Sequence, residues 1–440
     1  MIENKKESKT TFQNDLNIGD IFSISENQKS LLKDLKAVSI LSPTRVPYFN
    51  EEELEIKIRE FLAVYPELCV KYINKEGEIK QQFVGAEKVL LDITYKKIDK
   101  EIDEQKLISE GTSFLKRDCD FFKGELIRVI IYDDVRKKDE LVIVLGIHYS
   151  LIDMQTNMML SKNLFTFFNN QKYDQNYISS LFFAEWQKKY LETEKAKEKK
   201  QFWIDLVKKA NLTKDMNHDF ESQQTFVSQK LIIKGSDFEN MRFLVREVNL
   251  PLTGILMTLH QRMLNIAFPN NRGIQLIRVD GREQVFDDFD IKKVLGMVAN
   301  SLPIPIVKKN KMSRSLIFDV YIAYCNARLN QDIPYEVIKN EILSKDKVNI
   351  DNHILGLYNY ISLEHIKREY DKETFLGNQL FYEKKKQLNQ EKPINLYNIL
   401  YENSLEVEMT CRLDVYEENK SLLNLNYLIS NELINALQKD

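Results

Sequence analysis

The stretch Gly146-Ile147-His148-Tyr149-Ser150-Leu151-Ile152-Asp153-Met154 holds the residue types and spacing that can do chemistry. An imidazole and a carboxylate stand five residues apart, after an apolar run and before a helix-like segment. Together they read as the remains of a catalytic loop. An imidazole with an ordinary pKa of about 6.5 can accept a proton at neutral pH. The phenol of Tyr149, with an ordinary pKa of about 10, is protonated there; it suits donation to a developing oxyanion better than proton uptake. Taken singly, His148 at a strand end reads first as a hydrogen-bonded structural histidine. Asp153 reads first as a buried, paired loop former. Ser150 has no nucleophile-elbow context. His218, His260, His353 and His365 are scattered, with no metal-ligand spacing between them, and no metal is expected. Asp287-Asp288-Phe289-Asp290 reads as a solvated acidic loop ahead of a cation site.

The elements that must position the loop follow from periodicity and capping. Ile127 to Tyr132 and Leu141 to Ile147 are predicted strands joined by the charged turn 133–139, and 154–170 is a predicted helix. Asn50 caps a predicted helix through about Tyr65, with acids in its first turn and Leu54, Ile56, Ile58, Phe61 and Leu62 as its apolar face; Pro66 ends it. Ser23 or Ser25 can cap a further helix, and Val38–Leu41 is a short strand candidate. Leu68–Ile73 and Gln82–Val84 read as a hairpin around Lys75-Glu76-Gly77. Tyr177 to Asn211 is mostly helical, its charged run Lys195–Gln201 reading as a solvated face anchored by Phe202 and Trp203, with a basic interaction patch as the alternative. The polar stretch Thr213–Ser222 breaks the chain. Beyond it come a strand at Phe226–Ile233, helices at Asp237–Val245 and Pro251–Ala267, a strand at Ile274–Val279, a helix at Ser315–Gln331 and strand-like segments across Phe381–Tyr427. Mixed strands and helices in both halves predict an α/β (α+β) protein of two lobes. The expected division is a loose N-terminal segment 1–20, an N-terminal lobe 21–212 and a C-terminal lobe 213–440.

The 440 residues exceed one ordinary core and fit two domains. A net charge of −3, from 63 basic and 66 acidic side chains, gives no general attraction to nucleic acid or anionic membrane. Cys69, Cys119, Cys325 and Cys411 are far apart and form no C-x-x-C pair, which fits free thiols in a reducing, cytoplasmic setting. No signal-peptide core and no membrane-length apolar run is present. A monomer is expected.

Three spaced motifs give the chain its likeness to a known family. The first is His148-Tyr149-Ser150-Leu151-Ile152-Asp153-Met154. The second is Gly281-Arg282 followed by Gly296-Met297-Val298-Ala299-Asn300-Ser301-Leu302-Pro303. The third is Ala327-Arg328-Leu329-Asn330-Gln331-Asp332-Ile333-Pro334-Tyr335-Glu336. In this order, from about Phe22 to the C-terminus, they resemble the condensation-domain superfamily of nonribosomal peptide synthetases. That family carries His-His-x-x-x-Asp-Gly, then Gly-Arg with Gly-Met-x-x-Asn-Thr-x-Pro, then Ala-x-x-His-Gln-Asp-x-Pro-Phe-Glu. The resemblance implies two chloramphenicol-acetyltransferase-like lobes in a V-shaped pseudo-dimer with a tunnel between them. Carrier proteins then bring thioesters to its mouths on phosphopantetheine arms. No resident cofactor is implied.

The departures from the family gather at the chemistry. The second His, to which the family's catalytic role is generally given, is Tyr149 here. The motif's Gly is Met154, whose side chain is expected to crowd the tunnel, where Asn300 and Ser301 are also expected as lining. The family's Arg-His-x-x-Leu-Arg falls on Val64-Tyr65-Pro66-Glu67-Leu68-Cys69, without either arginine. The resemblance makes Asp153 and Arg282 structural supports, with Arg282 or Arg278 as the partner of Asp153. The expected function is a condensation-like body that binds a carrier protein or recruits an assembly-line enzyme, non-catalytic or catalytically altered. The alternative is an active acyl or aminoacyl transferase forming an amide or ester with help from Tyr149 or His148. An acetyltransferase using free CoA thioesters is the third reading.

Overall fold

A computed structural model of the chain describes residues 16–99, 104–134, 136, 139–172, 176–212, 224–309, 311–364, 380–387 and 392–438. They fall into two compact units, Met1–Ala196 with Asp280–Ala299, and Lys197–Val279 with Asn300–Asp440.

The first unit is built on the strand Glu140–His148. Every side chain from Leu141 to His148 is buried, so both faces are covered and the apolar run shows no alternation. One flank pairs antiparallel with Ile127–Asp134, which pairs parallel with Leu91–Ile98; the other flank takes Val38–Ile40 and Thr44–Pro47. A separate sheet runs Ile21–Phe22, Glu78–Phe83, Val70–Lys75 in spatial order. The helix Glu51–Ala63 starts at the predicted cap. Asn50 accepts the Glu53 N–H, and the Glu53 carboxylate accepts the Asn50 N–H. Leu54, Ile58, Phe61 and Leu62 are buried at i, i+4, i+7 and i+8. Ile56 does not join them: two residues past Leu54 it points well round the helix and is 51% exposed.

The second unit holds a seven-stranded sheet. Its spatial order is Asn300–Pro305, Ile274–Val279, Ile354–Leu363, Ile394–Tyr401, Ser404–Arg412, Gln224–Lys234, Leu380–Gln387. The helix Leu252–Ala267 is buried from Gly254 to Ile266 except at Arg262. His260 ties it to the sheet, Nε2 bonding the Ile394 carbonyl at 3.1 Å.

This division departs from the expected one at two places. The helix Glu194–Lys209 belongs to the second unit from Lys197 on, where Trp203 is buried and its Nε1–H donates to the Asn330 carbonyl at 3.0 Å. The segment Asp280–Ala299 returns to the first unit, because Val294–Leu295 pairs parallel with Ile178–Ser179. The stretch expected to be strand-like to Tyr427 is helical from Leu413, with helices at Leu413–Asn419 and Leu425–Tyr427. Most of the expected loose N-terminal segment, and all of the break at Thr213–Ser222, lies outside the described residues. All four cysteines are free thiols. No described helix is long and apolar enough to cross a membrane.

Candidate functional site

The motif loop leaves the buried strand at His148, whose ring is fully buried and edge-on to Phe121 at 4.8 Å. Both ring nitrogens are engaged. Nδ1 accepts the Ser150 N–H at 3.1 Å and lies 2.8 Å from Ser150 Oγ. Nε2 therefore carries the proton and donates to the Asp34 carbonyl at 2.9 Å. Burial lowers the pKa of His148, against the opposing pull of that carbonyl, so the ring is neutral near pH 7. A neutral imidazole whose lone pair already holds a backbone amide is a structural peg, not a poised base. The next side chain, Tyr149, is 40% exposed and its hydroxyl makes no hydrogen bond among the described residues. Its backbone N–H is fixed to the Ala37 carbonyl at 2.7 Å.

Asp153 is 3% exposed and accepts four donors. Oδ1 caps the helix Met154–Phe168 through the Thr156 N–H at 2.9 Å. Oδ2 takes Arg282 Nη1 at 2.8 Å, the Val298 N–H at 3.0 Å and the Ala299 N–H at 3.1 Å. Of the two expected partners the structure selects Arg282. Arg278 instead donates to Ser301 Oγ at 2.7 Å. Arg282 is itself 3% exposed and also donates to the carbonyls of Val294, Asp280 and Gly296. Thr156 Oγ1 sits 3.0 Å from both the N–H and the carbonyl of Gly296. This clamp holds Asp280–Ala299 against the motif loop, and it commits Asp153 to structure rather than to proton transfer. Two glycines permit the close approach. Gly281 has φ +76°, and a Cβ there would fall 2.5 Å from the Val298 carbonyl oxygen. Gly296 has φ +130°, and a Cβ there would fall 2.2 Å from Ser180 Oγ.

Met154, first in its helix, has an ordinary helical backbone and is 53% exposed. In the second unit, Asn300 and Ser301 are buried. Asn300 donates to the carbonyls of Gln331 and Ile333 and accepts the N–H groups of Ser301 and Tyr335, which locks its strand to the third motif. Asp332 of that motif pairs with Lys199 at 2.6 Å. His260 and His353 are buried in the second unit, and His218 and His365 lie outside the described residues. The acidic loop 287–290 is anchored by its phenylalanine, Phe289 stacking on Trp186 at 4.8 Å.

Two further buried polar residues have no role in the sequence reading. Gln28 is buried and donates to the Ser150 carbonyl at 2.9 Å, while its Oε1 accepts the Ser25 N–H. The Ser25-x-x-Gln28 capping box was a readable signal for it. Glu67 is 1% exposed, and burial pushes its carboxyl up to about 8. Nothing in its neighbours in sequence signals that burial.

With this geometry in place, the family described as "Condensation domain" matches residues 42–435. Bacitracin synthase 3 of Bacillus licheniformis is 21% identical over 393 residues, which cover 84% of this chain and 6% of that protein. The chain thus spans a small fraction of that relative's length. Among solved structures, a condensation domain that mediates chain release from the enacyloxin polyketide synthase superposes with a TM-score of 0.70 at 13% identity, covering 94% of this chain and 81% of that one. The epimerization domain from the third module of tyrocidine synthetase B gives a TM-score of 0.67 at 13% identity, covering 96% and 99%. Both likenesses establish the fold.

Proposed function

Because the chain belongs to the condensation-domain family, we propose that it serves a peptide or hybrid peptide–polyketide assembly line as a docking body, holding a carrier protein or recruiting a partner enzyme, without general-base catalysis of its own. One observation carries this reading. The motif offers no available proton acceptor, since His148 is buried with both nitrogens engaged and its neighbour is a phenol. What persists of the motif, the Asp153–Arg282 clamp, supports a loop conformation. The implied ligand is a phosphopantetheine arm borne by the carrier protein, arriving as substrate or cargo. Binding of purified carrier proteins in their phosphopantetheine-bearing form tests the proposal. Retention at or below about 100 μM, already a weak affinity, supports docking; none at that concentration counts against it.

A second reading rests on the exposure of Tyr149. A half-exposed phenol that no described residue engages can donate to an oxyanion. General-base catalysis contributes about 10²–10⁴-fold, so positioning alone could sustain a slower acyl transfer without it.

A further inference from the structure

Glu67 sits in the turn Pro66–Leu68, with neither carboxyl oxygen hydrogen-bonded among the described residues. The turn packs on the helix Ser180–Tyr190, where the Ser179 hydroxyl gives the carboxyl weak support. The adjacent Ser180 Oγ is also buried and has no hydrogen-bond partner among the described residues. A carboxylate buried with such weak donor support is costly, whereas the protonated acid is far less so.

Ser179 has a structural task. The pairing of Ile178–Ser179 with Val294–Leu295 is the β-bridge that ties Asp280–Ala299 to the rest of the first unit, with Ser179 opposite Leu295. Directly beyond it Gly296 runs against Ser180. Its backbone then meets Thr156 and Arg282, and the amides of Val298 and Ala299 meet Asp153. Glu67, the serine pair, the bridge and the motif aspartate therefore form one continuous set of contacts.

We propose that Glu67 is a positioning residue whose uncharged carboxyl lets Ser179 and Ser180 seat the segment Asp280–Ala299 against the motif loop, and whose ionisation loosens that seat. The titratable group facing it from its own side is the Cys69 thiol, which is itself influenced by Arg59 on the helix Glu51–Ala63. Arg59 is held by Glu55 at 2.7 Å and by the Ala86 and Val89 carbonyls. From the other side the Ser179 hydroxyl reaches the carboxyl, which also feels the backbone amide of Glu67 itself.

The seated carboxyl titrates near 8, and one opened to water near its ordinary 4.5. The open form therefore gains up to tenfold per pH unit between those values, and the gain levels off above the upper one. Hydrogen exchange at the Gly296, Val298 and Ala299 amides, corrected for intrinsic rates, reads this from about pH 5 to about pH 9. Protection is expected to fall toward tenfold per unit and then flatten near pH 8, while in Glu67→Gln it stays level. The Ser301 amide, bonded to Asn300 Oδ1 in the second unit, is the internal control. The same fall in Glu67→Gln, or no fall in the unmodified chain, overturns the proposal. Should Glu67→Gln fail to fold, Ser179→Ala removes only the supporting hydroxyl and is expected to move the flattening point to higher pH; an unmoved point also overturns it.

Discussion

Replacing Asp153 with Asn separates two tasks that one carboxylate performs. Oδ1 caps the helix through Thr156, and an amide oxygen does this equally well. Oδ2 receives three donors, Arg282 and the amides of Val298 and Ala299, and an Asn would meet them with an NH₂ group. Both members of the ion pair are 3% exposed, so water cannot take over the lost contact. Breaking a buried pair from one side costs about 3–5 kcal/mol, whereas losing an N-cap costs about 1 kcal/mol. Asp153→Asn is therefore expected to destabilise nearly as much as Asp153→Ala, an order that a capping role alone would not give. Arg282→Met leaves the carboxylate three backbone donors but strands the carbonyls of Val294, Asp280 and Gly296, and is expected to cost a similar amount. Combined with Asp153→Asn it falls short of additivity by about 1–3 kcal/mol, as contacting residues do. Urea unfolding followed by Trp186 emission, in a Trp203→Phe background, reports on the unit that holds the clamp. An Asp153→Asn variant within about 1 kcal/mol of the parent refutes the reasoning.

Gly281→Ala forces a Cβ onto the Val298 carbonyl at positive φ and is expected to cost at least about 2 kcal/mol, while Gly77→Ala, at φ +81° with nothing within 4 Å, costs only about 1 kcal/mol; thermal denaturation of both compares contact with backbone strain. His260 is buried with its pKa pushed down to about 4, so its folded form resists the charge that the unfolded chain accepts near 6.5. Stability from this site is full above pH 6.5 and is lost as pH falls through 4, on the order of 3 kcal/mol, which NMR titration of the ring and acid unfolding of His260→Gln will reveal. His148→Ala strands the Ser150 N–H and the Asp34 carbonyl beside Phe121 and is expected to cost about 2–4 kcal/mol by urea unfolding; a neutral substitution would mean the ring is not a structural peg.

Much of the scaffold was legible locally. Asn50 with its trailing acids marked a helix start, and the unbroken apolar run to Ile147 marked a strand covered on both faces. The helix Glu104–Leu115 went unread because Gly111, Ser and Thr dilute its signal; Gly111 is there for closeness, a Cβ falling 2.6 Å from Ile130 Cδ1. The helix Tyr335–Asp346 was hidden behind the third motif, whose residues drew a functional reading. The clamp was half legible, since the motifs pointed to Asp153 and to Arg282 or Arg278, and only folding brings Arg282 within 2.8 Å. The return of Asp280–Ala299 to the first unit had no local signal, because it depends on a two-residue bridge. Glu67 was equally opaque: a glutamate after a proline reads as solvent-facing until the chain closes over it.

The most direct test of the account is product formation from a carrier protein loaded with a donor thioester, offered an amine or alcohol acceptor in the presence of the chain. With the phenol of Tyr149 beside a locked His148, the predicted result is carrier binding without product above the carrier-only background. Product that forms with the unmodified chain and disappears in Tyr149→Phe would contradict it.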